Sequence, residues 1–450
     1  MRSFGKSVNK YFDKPIQTKE LPKGIPYIIA NEAAERFSFY GMKAILVVYM
    51  TQYLHITQGE INLSEENAKV YFHLFSSAVY FFPVIGALIS DIFFGKFKTI
   101  IFLSIVYCLG HFVLAVDPSK LGLVIGLSLI AIGSGGIKPC VSAHVGDQFG
   151  QTNSFLLSKV YGWFYLSINL GAFISTLLIP YCLKHYSAHV AFGIPGLFML
   201  LATLFFWMGR FKFIHIKPEK KILKELVKKK NIKLIFKLSS IFIFVSFFWC
   251  LFDQTGSSWI LQAEKMDRNF LGIEWLSSQV IAANPIMILL FTPLFFYYLY
   301  PQINKFIDLN SINKIIIGFF LTAISFLIIT IIQYWIDSGL TVNIGWQILA
   351  YAVLTSGEIF VSITCLEISY THAPKKLKSI LVSLFLLSIA LGNIVTSIVN
   401  FYNVRSDGSL ILDQTNYFLF FTILMLVVTL IFIPISRHFK KKIYLQDAKD

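Results

Sequence analysis

The sequence predicts an all-α integral membrane protein: twelve transmembrane helices in two six-helix bundles. Three observations carry the prediction. Of the 450 residues, 56% are hydrophobic and only 14% charged, against roughly 25% charged in soluble domains. Apolar stretches of the ~18 residues or more that a helix needs to cross a bilayer recur along the chain and leave no remainder large enough for a soluble domain. A basic segment, Lys212 to Lys233, divides these stretches six and six.

The chain divides as 1–26, an amino-terminal segment; 27–211, a first bundle; 212–236, a basic linker; 237–436, a second bundle; and 437–450, a tail. The first segment is polar and lysine-rich without an apolar run, so no cleavable signal peptide is expected. The linker carries Ile222, Leu223 and Leu226 at helical spacing, which predicts an amphipathic helix lying on the lipid surface.

Net charge is +15, from 39 Lys and Arg against 24 Asp and Glu, and its placement decides its meaning. Only Lys69, Lys120, Lys184, Lys265, Arg268 and Arg405 fall in or at the edge of loops on the side away from the amino terminus; Arg36, Lys43 and Lys138 lie deep inside spans. The rest share the side of the two termini. That is the positive-inside pattern, with both termini cytoplasmic. The charge therefore reads as topology, not as nucleic-acid binding.

Ionisable groups at helix centres cost at least ~2.5–3.5 kcal/mol on insertion scales and usually face a cavity or a partner. The spans are therefore read in order for such groups. The first, 27–54, carries NEAAERFSFYGMK, in which Glu32, Glu35, Arg36, Tyr40 and Lys43 recur at three- and four-residue spacing and share one helix face. The second, 68–90, holds His73, whose ordinary pKa near neutrality suits proton handling; a satisfied core histidine is the alternative. The third, 98–116, holds His111, read as structural like His144. The fourth, 121–145, carries Lys138 in GSGGIKPCVSAHVGDQF: its glycines allow close helix approach and Pro139 weakens the backbone ladder beside the charge. Its alternative reading is a structural ion pair with a carboxylate of the first span. The fifth, 156–182, contributes Asn169, and the sixth is 190–211.

In the second half the spans are 237–262, with Asp253 in WCLFDQTGSSW; 276–300, with Asn284; 312–336; 343–370, with Glu358 in TSGEIF; 379–402; and 414–436. For Asn169 and Asn284, helix packing competes with a binding role. All five cysteines sit in apolar stretches without a CxxC pair, which suggests neither a disulfide framework nor a zinc site. Two pseudo-symmetric bundles with a site between them at the midplane is the plan of a major-facilitator-type transporter.

Cations concentrate in the first half, and Asp253 and Glu358 stand without them in the second. A zwitterion matches that asymmetry: Arg36, by its fork geometry, and Lys138 for a carboxylate, Glu358 for an ammonium. A substrate carboxylate competing for Arg36 or Lys138 strips Glu32 or Glu35 of its counter-ion, and proton uptake then accompanies binding.

These residues resemble the proton-coupled oligopeptide transporter (POT) family of the major facilitator superfamily over nearly the whole chain. The first span follows the family pattern E-x-x-E-R-F-x-Y-Y through Glu32, Glu35, Arg36, Phe37 and Tyr40, with Phe39 where the first tyrosine is usual. Two further strings match, Gly86 to Gly110 (GALISDIFFGKFKTIIFLSIVYCLG) and Tyr161 to Phe173 (YGWFYLSINLGAF). The resemblance implies that Arg36 and Lys138 meet a peptide carboxyl end and that Asn169, Asn284 and Glu358 meet the amino end, with Tyr40, Tyr80 and Tyr165 lining the pocket. It links His73 to protons, casts Lys43 and Asp253 as an extracellular gate and Asp91 as a cytoplasmic hinge, and puts Phe385 where tryptophan is common. Glu32, Glu35, His73 and Asp253 become the proton-coupling candidates.

The expected function is therefore a di- and tripeptide:proton symporter of an inner membrane, bacterial and in a compact twelve-helix form. It is a carrier and not an enzyme, uses no cofactor beyond the proton and no metal, and works as a monomer with lipid around it. No GxxxxGK[ST] string is present, so ATP is not the expected driving force. The alternative is a relative carrying nitrate, another anion or a peptide-like solute; a non-transporting sensor or scaffold is a more distant one.

Overall fold

The computed structural model describes residues 11–15, 17–54, 62–218, 227–371 and 378–436, with side chains throughout these except at 370, 371, 378 and 379. In the first half, α1 (Ile25–Val48) begins with Pro26 in its first turn, where a missing N–H costs nothing. A π-turn, Tyr49–Tyr53, extends it. The Ser64 hydroxyl caps α2 (Glu65–Ile89) by accepting from the Asn67 N–H, and Glu65 and Glu66 occupy its positive end. Then follow α3 (Lys96–Val116), α4 (Lys120–Asp147, capped by Ser119), α5 (Leu157–His185) and α6 (Ala188–Met208, capped by Ser187).

The second half repeats the plan with α7 (Lys229–Phe252), α8 (Ala283–Leu294), α9 (Ser311–Asp337, capped by Asn310), α10 (Gly345–Glu358), α11 (Lys378–Tyr402) and α12 (Gln414–Ser436). Among the described residues, eleven helices are long and apolar enough to cross a membrane. The twelfth crossing is α1, as long as the others but burdened by Glu32, Glu35, Arg36 and Lys43.

Hydrophobic packing follows the two halves without separating them fully. One core gathers side chains from Ile25 to Phe213 together with Ile260 and Leu261 of the second half, a second runs from Leu238 to Phe432, and a small third one joins Ile288, Phe295, Ile359 and Phe360. Tyr80 packs against the first two, and the halves meet along a seam.

Two local features depart from the sequence reading. The seventh helix starts at Lys229 rather than Lys237; Lys212 and Phe213 turn, and residues 214–218 are not helical, with Ile214 bridged to Phe12. A surface helix over Lys212 to Lys233 therefore has neither its first nor its last residues, and Ile222, Leu223 and Leu226 lie outside the described residues. Between α7 and α8 a hairpin pairs Asn269–Phe270 with Ile273–Glu274. Its Leu271–Gly272 turn has both φ angles positive, the two-residue geometry that matches strand twist.

The helix that matters most for the site is α7, because it breaks. Asp253–Gly256 forms one tight 3₁₀ turn, Ser257 leaves helical geometry, and Ser258–Glu264 resumes the helix. The break lies where Phe72 of α2 presses in: a Cβ on Gly256 would stand 2.5 Å from its ring. A glycine is required there for close approach.

Candidate functional site

The polar stripe expected on α1 is one cluster. Glu32, Glu35 and Arg36 are buried, and the Arg36 Nε donates to Glu32 Oε1 at 2.7 Å and lies 3.0 Å from Glu35 Oε2. One guanidinium thus serves two carboxylates. Lys138 does not complete the balance: its ammonium lies 3.9 Å from the Phe39 ring centre and 4.1 Å from that of Tyr80, without a hydrogen-bond partner among the described residues. The ion pair with a first-span carboxylate, the alternative reading of Lys138, is not formed. The glycines around it do bring helices together, Gly135 and Gly136 meeting Phe82 and Gly86 of α2 and Leu103 of α3.

Lys43, the top of the same stripe, faces the other bundle. Its Nζ is 2.8 Å from Asp253 Oδ1, which the break in α7 presents to the seam. The other Asp253 oxygen accepts from Asn393 Nδ2 of α11 at 2.7 Å. Since a carboxylate only accepts, the Asn393 carbonyl must turn the other way, and it meets His73 Nδ1 at 2.7 Å. His73 Nδ1 is then the donor, and Nε2 accepts from the Ser257 hydroxyl at 2.8 Å. Lys43, Asp253, Asn393, His73 and Ser257 form one buried chain across the seam.

Farther along the seam, toward the end of the bundle away from both termini, a second polar layer joins the halves. Lys69 Nζ is 4.7 Å from the Tyr417 ring centre, Gln414 donates to Glu66 at 3.4 Å, and Lys265 pairs with Glu65 at 3.4 Å. These contacts tie the two halves together at this end. At the opposite end Asp91 lies in the π-turn Ser90–Phe94 and accepts from the Ser90 hydroxyl at 3.3 Å, beside the Lys96–Asp147 pair at 2.6 Å.

In the second bundle Asn284 of α8 donates to Glu358 Oε2 at 2.7 Å and to Thr355 at 3.1 Å. Asn169 donates to the Tyr165 carbonyl of its own helix at 3.0 Å and also bonds the Tyr165 side chain; among the described residues no bond joins it to the Asn284–Glu358 pair. Tyr165 is 40% exposed and within electrostatic range of Glu358. Tyr40 is within electrostatic range of Arg36 and Glu35 on its own bundle and of Glu358 on the other. Phe385 is buried against Phe242 and Trp249, ring centres 5.9 and 6.1 Å away.

Asn393, Ser257 and Thr355 were missed by the sequence reading, as were Lys69 and Tyr417. Asn393 carried a usable signal, since it is an amide inside an apolar span, as Asn169 and Asn284 are. Ser257 and Thr355 carried none, because hydroxyls in helices commonly satisfy themselves on the preceding turn.

The arrangement places cations on the first bundle, an acid bonded to an amide on the second, and a hydrogen-bonded chain that includes a histidine across the seam. The POT family profile matches residues 97–231 and 224–418. The chain is 37% identical to Peptide transporter family 1 of Drosophila melanogaster over 68% of its own length and 47% of that protein's. With Solute carrier family 15 member 2 of Homo sapiens it shares 34% identity over 76% and 53%. It thus spans about half the length of the curated relatives it matches. The solved POT family transporter PepTSo superposes with a TM-score of 0.86 at 34% identity, covering 93% of this chain and 98% of that one. A proton dependent oligopeptide (POT) family transporter gives 0.77 at 35%, covering 91% and 100%. Profile, relatives and two-bundle major facilitator fold agree, and the chain belongs to the POT family.

Proposed function

We propose that this protein is a symporter that imports di- and tripeptides with protons by alternating access between its two bundles. The observation that carries the reading is the opposition of charges: Arg36 and the unpaired Lys138 on the first bundle, the Asn284–Glu358 pair on the second. A peptide carries a carboxylate at one end and an ammonium at the other whatever its side chains. Arg36 and Lys138 hold the carboxylate, and Glu358 holds the ammonium with Asn284 and Asn169 beside it. Tyr40, Tyr80, Tyr165 and Phe385 bound the space for side chains, which are read by fit rather than by charge.

Coupling follows from the Arg36 cluster. When the substrate carboxylate draws on Arg36, Glu32 or Glu35 is left with less counter-charge and takes a proton. The seam chain supplies the gate: opening the end away from the termini requires that Lys43 leave Asp253 and that His73 leave Asn393, and a proton on His73 replaces the acceptor for Ser257 with a donor. Asp91 serves as hinge at the opposite end. The basic loops support cytoplasmic termini in an inner membrane, and the presence of both bundles in one chain supports a working monomer.

The test is uptake of labelled dialanine into liposomes of the pure protein, with an inward-acid gradient imposed and then collapsed, alongside Glu358→Gln. Gradient-dependent accumulation weakened by the substitution is expected. Folded protein that neither accumulates nor exchanges dialanine ends the peptide reading and makes nitrate and other anions the next substrates, although an anion carrier has little use for an acid facing Arg36 and Lys138.

A further inference from the structure

We infer that Phe39 is a positioning residue for Lys138: its ring is the fixed wall of an aromatic seat that keeps the Lys138 ammonium off Glu35 and free for an incoming carboxylate. The assignment of that carboxylate to a peptide rests on the function proposed above.

The geometry is specific. The Lys138 ammonium lies between two ring faces, Phe39 at 3.9 Å and Tyr80 at 4.1 Å. It is shielded from solvent and makes no hydrogen bond among the described residues. A buried ammonium without a carboxylate is costly, and two ring faces offset part of that cost because the ring quadrupole attracts cations, most strongly where water is excluded. Meanwhile Glu35 lies 3.0 Å from Arg36, and both of its oxygens lack a hydrogen-bond partner. Lys138 is thus drawn toward Glu35 and held short of it.

The two walls are not equivalent. Phe39 is fully buried in the first bundle, braced edge-on by the Tyr40 ring at 5.3 Å. Tyr80 lies on the seam and packs against both cores. Both rings belong to the first bundle, but motion of the bundles changes what lies against Tyr80, whereas Phe39 keeps its neighbours. The functional gain is kinetic access: a carboxylate that meets Lys138 in an aromatic seat displaces ring faces, whereas one that meets a Lys138–Glu35 pair must first break a buried ion pair. At this position a phenylalanine suffices, because the face and not a hydroxyl does the holding.

The experiment combines a substrate-free and a substrate-dependent reading. Tm in detergent is measured for wild type, Phe39→Leu, Lys138→Met and the double variant, and for Phe39→Tyr; KM and kcat for dialanine uptake are measured for wild type and both Phe39 variants. Phe39→Leu is expected to raise KM roughly tenfold with kcat changed less than about twofold, Phe39→Tyr to restore it, and the Tm loss caused by Phe39→Leu to be smaller in the Lys138→Met background than in wild type. An equal loss in both backgrounds, or a Phe39→Tyr that behaves as Phe39→Leu, overturns the seat. A smaller loss in the Lys138→Met background, with no dialanine uptake by the wild type, supports the seat and overturns only the peptide reading.

Discussion

His73 and Asp253 are bonded to opposite ends of one side-chain amide: Asn393 accepts from the histidine at 2.7 Å and donates to the carboxylate at 2.7 Å. That amide links the ring of α2 to the carboxylate of α7 that also pairs with Lys43. In the function proposed above, the seam opens as a unit. Asn393→Leu leaves the histidine N–H and a carboxylate oxygen without partners, at about 1–3 kcal/mol each. A lowered Tm and a flattened dependence of dialanine uptake on external acid are expected. Wild-type values for both would sink the relay.

The Lys43–Asp253 contact at 2.8 Å is buried on both sides. Removing one charge from such a pair strands the other, at about 3–5 kcal/mol, whereas removing both is far milder. Lys43→Met is accordingly expected to lose more Tm than Lys43→Met combined with Asp253→Asn. A double variant less stable than either single one would show that the pair acts through something other than mutual charge.

Glu358 accepts from Asn284 at 2.7 Å on the second bundle and is the acid proposed to hold the peptide ammonium. A charge-assisted bond contributes about 1.5–3 kcal/mol, which converts to roughly a ten- to hundredfold rise in KM for dialanine in Glu358→Gln. The N-acetylated dipeptide, which has no ammonium, is expected to bind weakly and with nearly equal KM in both proteins. Competition assays against labelled dialanine measure this, and an equal penalty for the two peptides would remove Glu358 from the amino-terminal site.

Gly256 sets how closely α2 approaches the break in α7, with Phe72 2.5 Å from the point where a Cβ would sit. Gly256→Ala overpacks that contact, at about 1–3 kcal/mol. Adding Phe72→Leu makes room and is expected to recover part of the lost Tm. No loss in the single variant would mean that the ring moves aside freely.

Outside the membrane, Asp267 accepts from the Asn269 N–H at 3.0 Å and from Asn343 at 2.8 Å. These bonds hold its carboxyl below the ordinary carboxylate value of 3.8, with the backbone N–H as the larger cause. A depressed folded-state value stabilises the protein above the unfolded value and ceases to do so as pH falls through the folded one. The Tm difference between wild type and Asn343→Ala is therefore expected to be constant near neutrality and to narrow only below about pH 4. A difference that already narrows near pH 6 would point to histidine instead.

Much of this architecture was legible because membrane insertion leaves large, local marks. A crossing helix satisfies its own backbone, so its length and apolarity are written in consecutive residues, and the structure's helices fall close to the expected spans. Charges inside such spans are conspicuous for the same reason. Reading Glu32, Glu35, Arg36 and Lys43 on one face of α1 needed only the helical repeat. Asp253 and Glu358 stood out against their apolar surroundings. The start of α7 at Lys229 was missed because a lysine-rich first turn reads as linker by composition, although a helix end in water tolerates it.

Partnership was another matter, since it depends on helices far apart in sequence. Lys138 had two plausible destinations, a carboxylate or open space, and the close passage of α1, α2 and α4 placed it between two rings instead. Asn169 and Asn284 looked alike in sequence, yet only Asn284 reaches Glu358. The amino-acid order by itself determined which side chains the bilayer must conceal, because burying a charge has a cost that no neighbour is needed to predict. Which partner meets each of them was decided by the tertiary structure alone, because a hydrogen bond or a ring face acts over a few ångströms and only the packed helices fix those distances.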